Sequence, residues 1–400
     1  MLGQWPMQIH PLITDSKQLA ELCQRLAQSP FVAVDTEFMR ENTFYPDLCL
    51  VQLADANEAA AIDPKAPGLD MTPMLDLLCN NENILKVFHA GGQDIEIFYH
   101  LTGKTPHPMF DTQIAAMALG QGEQIGYSNL VDLWMGILLD KGARFTDWSR
   151  RPLDKRQIDY AIADVTHLSV IFPLMLEKLK ITGRGAWLDH EMERISDVAN
   201  YRNEPENAWS RVKIQSRKPD VLGRLKAMAA WREREAQRKN IPRGRIMKDE
   251  TLADIAAHPP KSQADLPKVR GLSPAWRDNE IGQRLMAAIE ASEPMTRDAL
   301  PDRGRSSPGA GKDGGLVADL LKLLLKIRSR EINVAPRLLV RTEELERLAA
   351  GEREGLEMLS GWRFEQFGRD ALDLVEGRVA FAVVKGKLKV TRSLEEEELA

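Results

Sequence analysis

Phe31-Val-Ala-Val-Asp-Thr-Glu-Phe38 is an apolar run broken by two carboxylates, Asp35 and Glu37. A short apolar run following Ser29-Pro30 reads as an interior strand. Side chains alternate faces along a strand, so Asp35 and Glu37 project to the same side. Two acids on one face of an interior strand repel each other and are poorly hydrated unless a cation compensates them. Hard divalent ions suit that task, because Mg²⁺ and Mn²⁺ prefer oxygen ligands. Around this run, segments 49–54, 59–63 and 85–89 also read as strands, and 15–28, 71–80, 92–101, 111–120, 127–138 and 154–180 as helices. Only 55–58 separates two of the strands, so an antiparallel hairpin enters an otherwise crossover-connected sheet. The first 200 residues or so therefore predict an α/β domain, a mixed sheet flanked by helices.

Two further acids join the pair. Asp94 follows Gly91-Gly92-Gln93, where a tight turn into a helix is expected, and Asp164 ends Tyr160-Ala-Ile-Ala-Asp164. Tyr160 and Asp164 are four apart and neighbour each other on a helix. Each acid alone reads equally well as a surface charge or, for Asp94, as a helix cap. Together they describe a cleft that binds two metal ions. Ions about 4 Å apart clamp the attacking and departing oxygens of a displacement at phosphorus. Tyrosine ionises near pH 10, so Tyr160 suits orienting a water better than deprotonating it. No protein nucleophile and no small-molecule cofactor are required.

The chain has 400 residues, 43% hydrophobic and 28% charged, which sets an expectation of two or three domains. No run approaches the roughly 18 apolar residues of a membrane span, so no membrane partner is expected. The first ten residues lack a secretory pattern, which sets a cytoplasmic expectation. Cys23, Cys49 and Cys79 have no zinc or disulfide spacing and read as buried thiols. The net charge of −5 hides fourteen Lys/Arg against seven Asp/Glu in 201–250. That excess, with Arg224, Arg232, Arg234 and Arg238 on a helix near 222–239, points to a polyanion such as RNA. Strand signals fade after about 208 and helical ones follow. Ser262 to Asp265 has capping-box spacing. Residues 293–315, with three prolines and five glycines, read as a linker. A second small helical module follows at 316–385, then an acidic tail at 386–400 containing Glu395 to Glu398. Both modules look separable: deletion after about 205 is expected to spare hydrolysis of short strands.

Asp35-Thr-Glu37, His89-Ala-Gly-Gly-Gln-Asp94 and Tyr160-Ala-Ile-Ala-Asp164 resemble the three exonuclease motifs of the DEDD superfamily, in its tyrosine-containing branch. The stretches Asp147-Trp-Ser-Arg-Arg-Pro-Leu153 and Thr43-Phe-Tyr-Pro-Asp-Leu-Cys-Leu-Val-Gln-Leu53 look like the ribonuclease D family. Residues 209–292 are similar to an HRDC domain, and 316–385 to a divergent second one. The resemblance implies a ribonuclease H-like exonuclease domain at 1–205 followed by two small all-α HRDC-type domains. It also implies 3′–5′ removal of nucleotides from RNA, release of 5′-nucleoside monophosphates, and trimming of tRNA precursors. By motif, Asp35, Glu37, Asp94 and Asp164 would hold two divalent ions, Mg²⁺ or Mn²⁺, and Tyr160 would position the water.

Candidate substrate contacts are Thr36, Phe38 as a wedge against a base, and Arg150 and Arg151 as forks for phosphate. Phe44, Tyr45 and Trp148 offer stacking surfaces or core packing. His89 and His167 lie close to motif acids but read as structural, since an oxygen-rich site needs no imidazole. The residues leave open a 3′–5′ DNA exonuclease, because sugar discrimination is not patterned in sequence, and a non-catalytic RNA-binding protein.

Overall fold

The computed structural model describes residues 7–140, 142, 143, 145–296 and 313–392. Strand β2 (Phe31–Met39) is the hub of a six-stranded mixed sheet ordered β1-β4-β3-β2-β5-β6. The other strands of the sheet are β1 (Gln8–Ile9), β3 (Asp47–Ala54), β4 (Glu58–Ile62), β5 (Leu85–Phe88) and β6 (Met109–Asp111). The hairpin expected across 55–58 is present: β3 pairs antiparallel with both β4 and β2, while β5 runs parallel to β2. Strands β1 and β6, of two and three residues, were not legible in the sequence.

Alternation along β2 decides where the acids point. Val32 and Val34 pack with Val51, Leu53 and Ile62 against α1 (Ser16–Leu26), α2 (Thr72–Cys79) and α3 (Gly92–Thr102). Phe31 and Ala33 face the other way, toward α4 (Thr112–Ala118), α5 (Tyr127–Met135) and α6 (Lys155–Thr182). Continuing the parity, Asp35 falls on the α6 face and Thr36 on the α3 face. Helix α6 begins with a capping box between Asp154 and Gln157 and buries Ala161, Val165, Leu168 and Phe172 at helical spacing. At 28 residues it is the one described helix long and apolar enough to cross a membrane, but it lies across the sheet as a core helix. Helix α7 (Asp189–Ser196) closes this domain beside β6.

The next unit is helical: α8 (Pro219–Lys239), α9 (Arg243–Ile246), α10 (Asp249–Ala257) and α11 (Glu280–Glu290) surround Leu225, Met228, Leu252, Ile255 and Leu285. The capping box read at Ser262 is replaced by a 3₁₀ turn in which Ser262 donates to the Asp265 carboxylate. The basic helix also differs from expectation. Arg232 is buried and bound to Asp249 and the Met247 carbonyl. Arg224 donates to the Ala256 carbonyl, Arg234 pairs with Glu206, and Arg238 with Glu235. Three of the four guanidiniums pair with acids of the same stretch, so the local positive excess rests on its other lysines and arginines.

The expected linker falls largely outside the described residues, although Met295 still packs on the helical unit. The last unit comprises α12 (Gly314–Ile332), α13 (Pro336–Leu339), α14 (Thr342–Ala349) and α15 (Gly361–Arg363), which runs through a π turn into α16 (Arg369–Val375). It is not wholly α. Strands β7 (Val379–Val384) and β8 (Lys387–Arg392) form a hairpin whose turn residues, Lys385 and Gly386, both have positive φ, 51° and 74°. Residues 387–392 are therefore a strand where an acidic tail was expected, and Glu395 to Glu398 lie outside the described residues.

Candidate active site

Three elements bring Asp35, Glu37, Asp94, Tyr160 and Asp164 to the wall of one cleft of about 1000 Å³. Asp35 and Glu37 arrive on β2, and Tyr160 and Asp164 on the facing side of α6. Carboxylate oxygens of Asp35, Glu37 and Asp164 all lie within 4.8 Å of one another. Asp94 arrives on the first turn of α3 and sits outside that trio, under Thr36, whose hydroxyl donates to its carboxylate. Thr36 is thus turned inward to orient an acid, as the β2 parity requires.

The turn ahead of Asp94 is tightly specified. Asp111 accepts hydrogen bonds from the backbone N–H groups of Ala90 (3.1 Å) and Gly91 (2.9 Å), and caps α4 through Gln113. Ala90 has φ +56°, and a Cβ on Gly91 would stand 2.6 Å from Cβ of Phe88. His89 bridges Thr112 (2.9 Å) and the Ile125 carbonyl (3.0 Å), with its pKa pushed down by burial, so it acts as a structural tie. His167 is bonded to the Ala163 carbonyl at 2.6 Å, within its own helix.

The electrostatics are those of buried acids crowded together. Burial, then the charges of Asp164, Asp94 and Glu37, push the Asp35 carboxyl well above the usual range. Burial pushes Asp94 up to about 7, against the opposing hydrogen bond from Thr36. Tyr127, which the sequence reading did not single out, also lines the cleft. Its hydroxyl donates to the backbone carbonyl of Asp164, and its pKa is raised by burial and by Asp164 and Asp35. Its only sequence signal was an aromatic at the start of α5.

The donor set fits a divalent ion. Three carboxylate oxygens within 4.8 Å of one another are near enough to serve one hard cation as ligands. The proposed arginine contacts are not in the cleft wall. Arg151 forks onto Asp63 (2.6 Å) and donates to the carbonyls of Cys49, Trp148 and Arg150, pinning the loop before α6 to the sheet. Arg150 is an exposed partner of Asp147. Phe38 does line the cleft, half-buried. Trp148 is core, 2% exposed, and Phe44 is buried among residues of the first helical unit. Tyr45 stacks on His100 with ring centroids 3.8 Å apart.

Residues 11–180 match the domain family described as 3′-5′ exonuclease, and residues 221–289 match the HRDC domain. Fold and cleft together define a 3′–5′ exonuclease carrying an HRDC domain. The chain is 72% identical, over 97% of its length and all of the relative's, to ribonuclease D of Sphingobium indicum. It is 63% identical, over 96% of its length and 99% of the relative's, to ribonuclease D of Zymomonas mobilis. The crystal structure of Escherichia coli RNase D superposes with a TM-score of 0.77 at 29% identity, covering 93% of this chain and 99% of that one. The chain belongs to the ribonuclease D family of 3′–5′ exoribonucleases.

Proposed function

We propose that the chain shortens structured RNAs, tRNA precursors with 3′ extensions among them, by two-metal-ion hydrolysis that releases 5′-nucleoside monophosphates in the cytoplasm. The observation that carries the reading is the carboxylate trio of Asp35, Glu37 and Asp164, mutually within 4.8 Å, with Asp94 beside it. Those four acids would hold Mg²⁺ or Mn²⁺, which would supply charge neutralisation at the phosphate and lower the pKa of a water. Tyr160, on the helix face that carries Asp164, orients the water by hydrogen bonding. Thr36 fixes the Asp94 carboxylate, and Phe38 wedges against the terminal base. Residues 1–205 form the exonuclease domain, 209–292 the HRDC domain and 316–392 the second HRDC-like unit. The Escherichia coli relative is described as an exoribonuclease involved in structured RNA processing, which agrees with this substrate class.

The test is product analysis, with and without Mg²⁺, on a tRNA precursor labelled at its 5′ end and, in a parallel sample, within its 3′ extension. Stepwise shortening with mononucleotide release is expected, and EDTA should stop it. Asp35→Asn and Asp164→Asn should each lower turnover by more than about 100-fold while the fold persists. Cleavage at native rate by either folded variant would remove the metal assignment.

A further inference from the structure

Phe145 is 90% exposed and lines the same cleft as the carboxylates. An exposed aromatic by itself needs no explanation, since single apolar side chains are common on surfaces. Its setting is unusual. Its neighbour Thr146 bonds back to the Ala143 carbonyl through both its N–H (3.1 Å) and its hydroxyl (2.8 Å). Gln157 donates to the Thr146 hydroxyl (3.0 Å), and Gln157 is itself half of the capping box that starts α6. Ala143 and Trp148 on either side are buried. Thr146 is thus tied to the helix that presents Tyr160 and Asp164, and the phenyl ring beside it is exposed. Leu139 lines the cleft on the same α5–α6 connection.

An apolar ring at the mouth of the cleft offers a phosphate neither positive charge nor a hydrogen-bond donor. It suits a nucleobase, which offers a π face whatever its sequence. Phe38 is half-buried next to Glu37, whereas Phe145 stands at the rim. We propose that Phe145 is the stacking platform for a base upstream of the 3′-terminal nucleotide, keeping the strand in register as each terminal residue is removed. The proposal rests on the exonuclease reading above and adds a binding residue to it.

The test uses the full chain carrying Asp164→Asn, so that a bound strand is not cut. Unstructured oligoribonucleotides carry 2-aminopurine at the terminal, second or third position from the 3′ end. Stacking at the second or third position should quench its fluorescence. Adding Phe145→Ala or Phe145→Leu should remove most of that quenching and weaken binding about tenfold, while Phe145→Trp should retain both. In the otherwise native chain, Phe145→Ala should raise KM more than it lowers kcat. Quenching and affinity unchanged by Phe145→Ala, or lost only at the terminal position, would overturn the proposal. Retention of both by Phe145→Leu would also overturn it, since an aliphatic side chain would then suffice. The quenching needs no turnover, so failure of the native chain to shorten RNA from its 3′ end would count separately, against the exonuclease reading.

Discussion

Asp94 is a carboxyl whose protonated form burial favours. Its folded pKa of about 7 stands above the unfolded value of about 3.9, so the folded state binds the extra proton between those limits. With metal removed by EDTA, its contribution to stability is complete below about pH 4 and is lost as pH rises through 7. The stability difference between the native chain and Asp94→Asn should therefore fall across that window, as read from urea midpoints at pH 4.5 to 8. A difference independent of pH would remove the assignment. Added Mg²⁺ should abolish the fall, because the ion replaces the proton as the counter-charge. The role of Asp35 was legible because strand parity fixes its face. Parity also sends Thr36 to the opposite face, where Asp94 waits, yet sequence alone gave no sign that its hydroxyl would be used up there. Arg151 shows the limit: its partner Asp63 lies 88 positions away, and a charge in a sequence does not declare its counter-ion. Phe145 was illegible for the converse reason, since composition assigns an isolated phenylalanine to a core by default.

Elements were legible where hydrophobic period and length agreed. Strands β2 to β5 and helices α1 to α6 all fall where the periodicity places them, because each buries a continuous apolar face. Strands β1 and β6 are too short to show a period and exist through their neighbours' hydrogen bonds. The β7–β8 hairpin was hidden by its lysines, although Lys385-Gly386 is a turn pair between alternating segments. At the β5–α3 connection the two adjacent glycines are not equivalent. A Cβ on Gly91 meets the Phe88 side chain, whereas one on Gly92 meets nothing within 4 Å. Gly91→Ala should cost about 1–3 kcal/mol through overpacking and displace Asp94, lowering turnover beyond the stability loss. Gly92→Ala, at the first helical position, should be neutral or slightly stabilising. Paired melts and single-turnover rates check this, and equal behaviour of the two variants would refute the steric account.

At the scale of the whole molecule the units share cores, which composition could not reveal. Phe44, from the loop after β2, is 6% exposed within the first helical unit's core, and Asn240 there accepts the N–H groups of Phe44 (3.1 Å) and Tyr45 (3.0 Å). The last unit is joined as firmly. Trp187 stacks on Trp362 with centroids 4.4 Å apart, Arg363 pairs with Glu191 at 2.6 Å, and the Ala335 N–H donates to the Met117 carbonyl. Leu321, Leu324, Leu338 and Phe367 belong to the same apolar cluster as Phe110 and Phe172 of the exonuclease domain. A fragment ending at 205 would expose Phe44 directly beside the strand that carries Asp35 and Glu37. Burial of one such phenylalanine is worth about 2–3 kcal/mol, and the lost interface with the last unit adds to it. We therefore expect the fragment to melt at least about 5 °C below the full chain and to lose turnover even on short oligomers. Ending the chain at 296 should restore the Phe44 contacts and give intermediate behaviour. Differential scanning calorimetry and trinucleotide hydrolysis on all three lengths decide the point: a 205-residue fragment matching the full chain in both would show that the exonuclease domain stands alone.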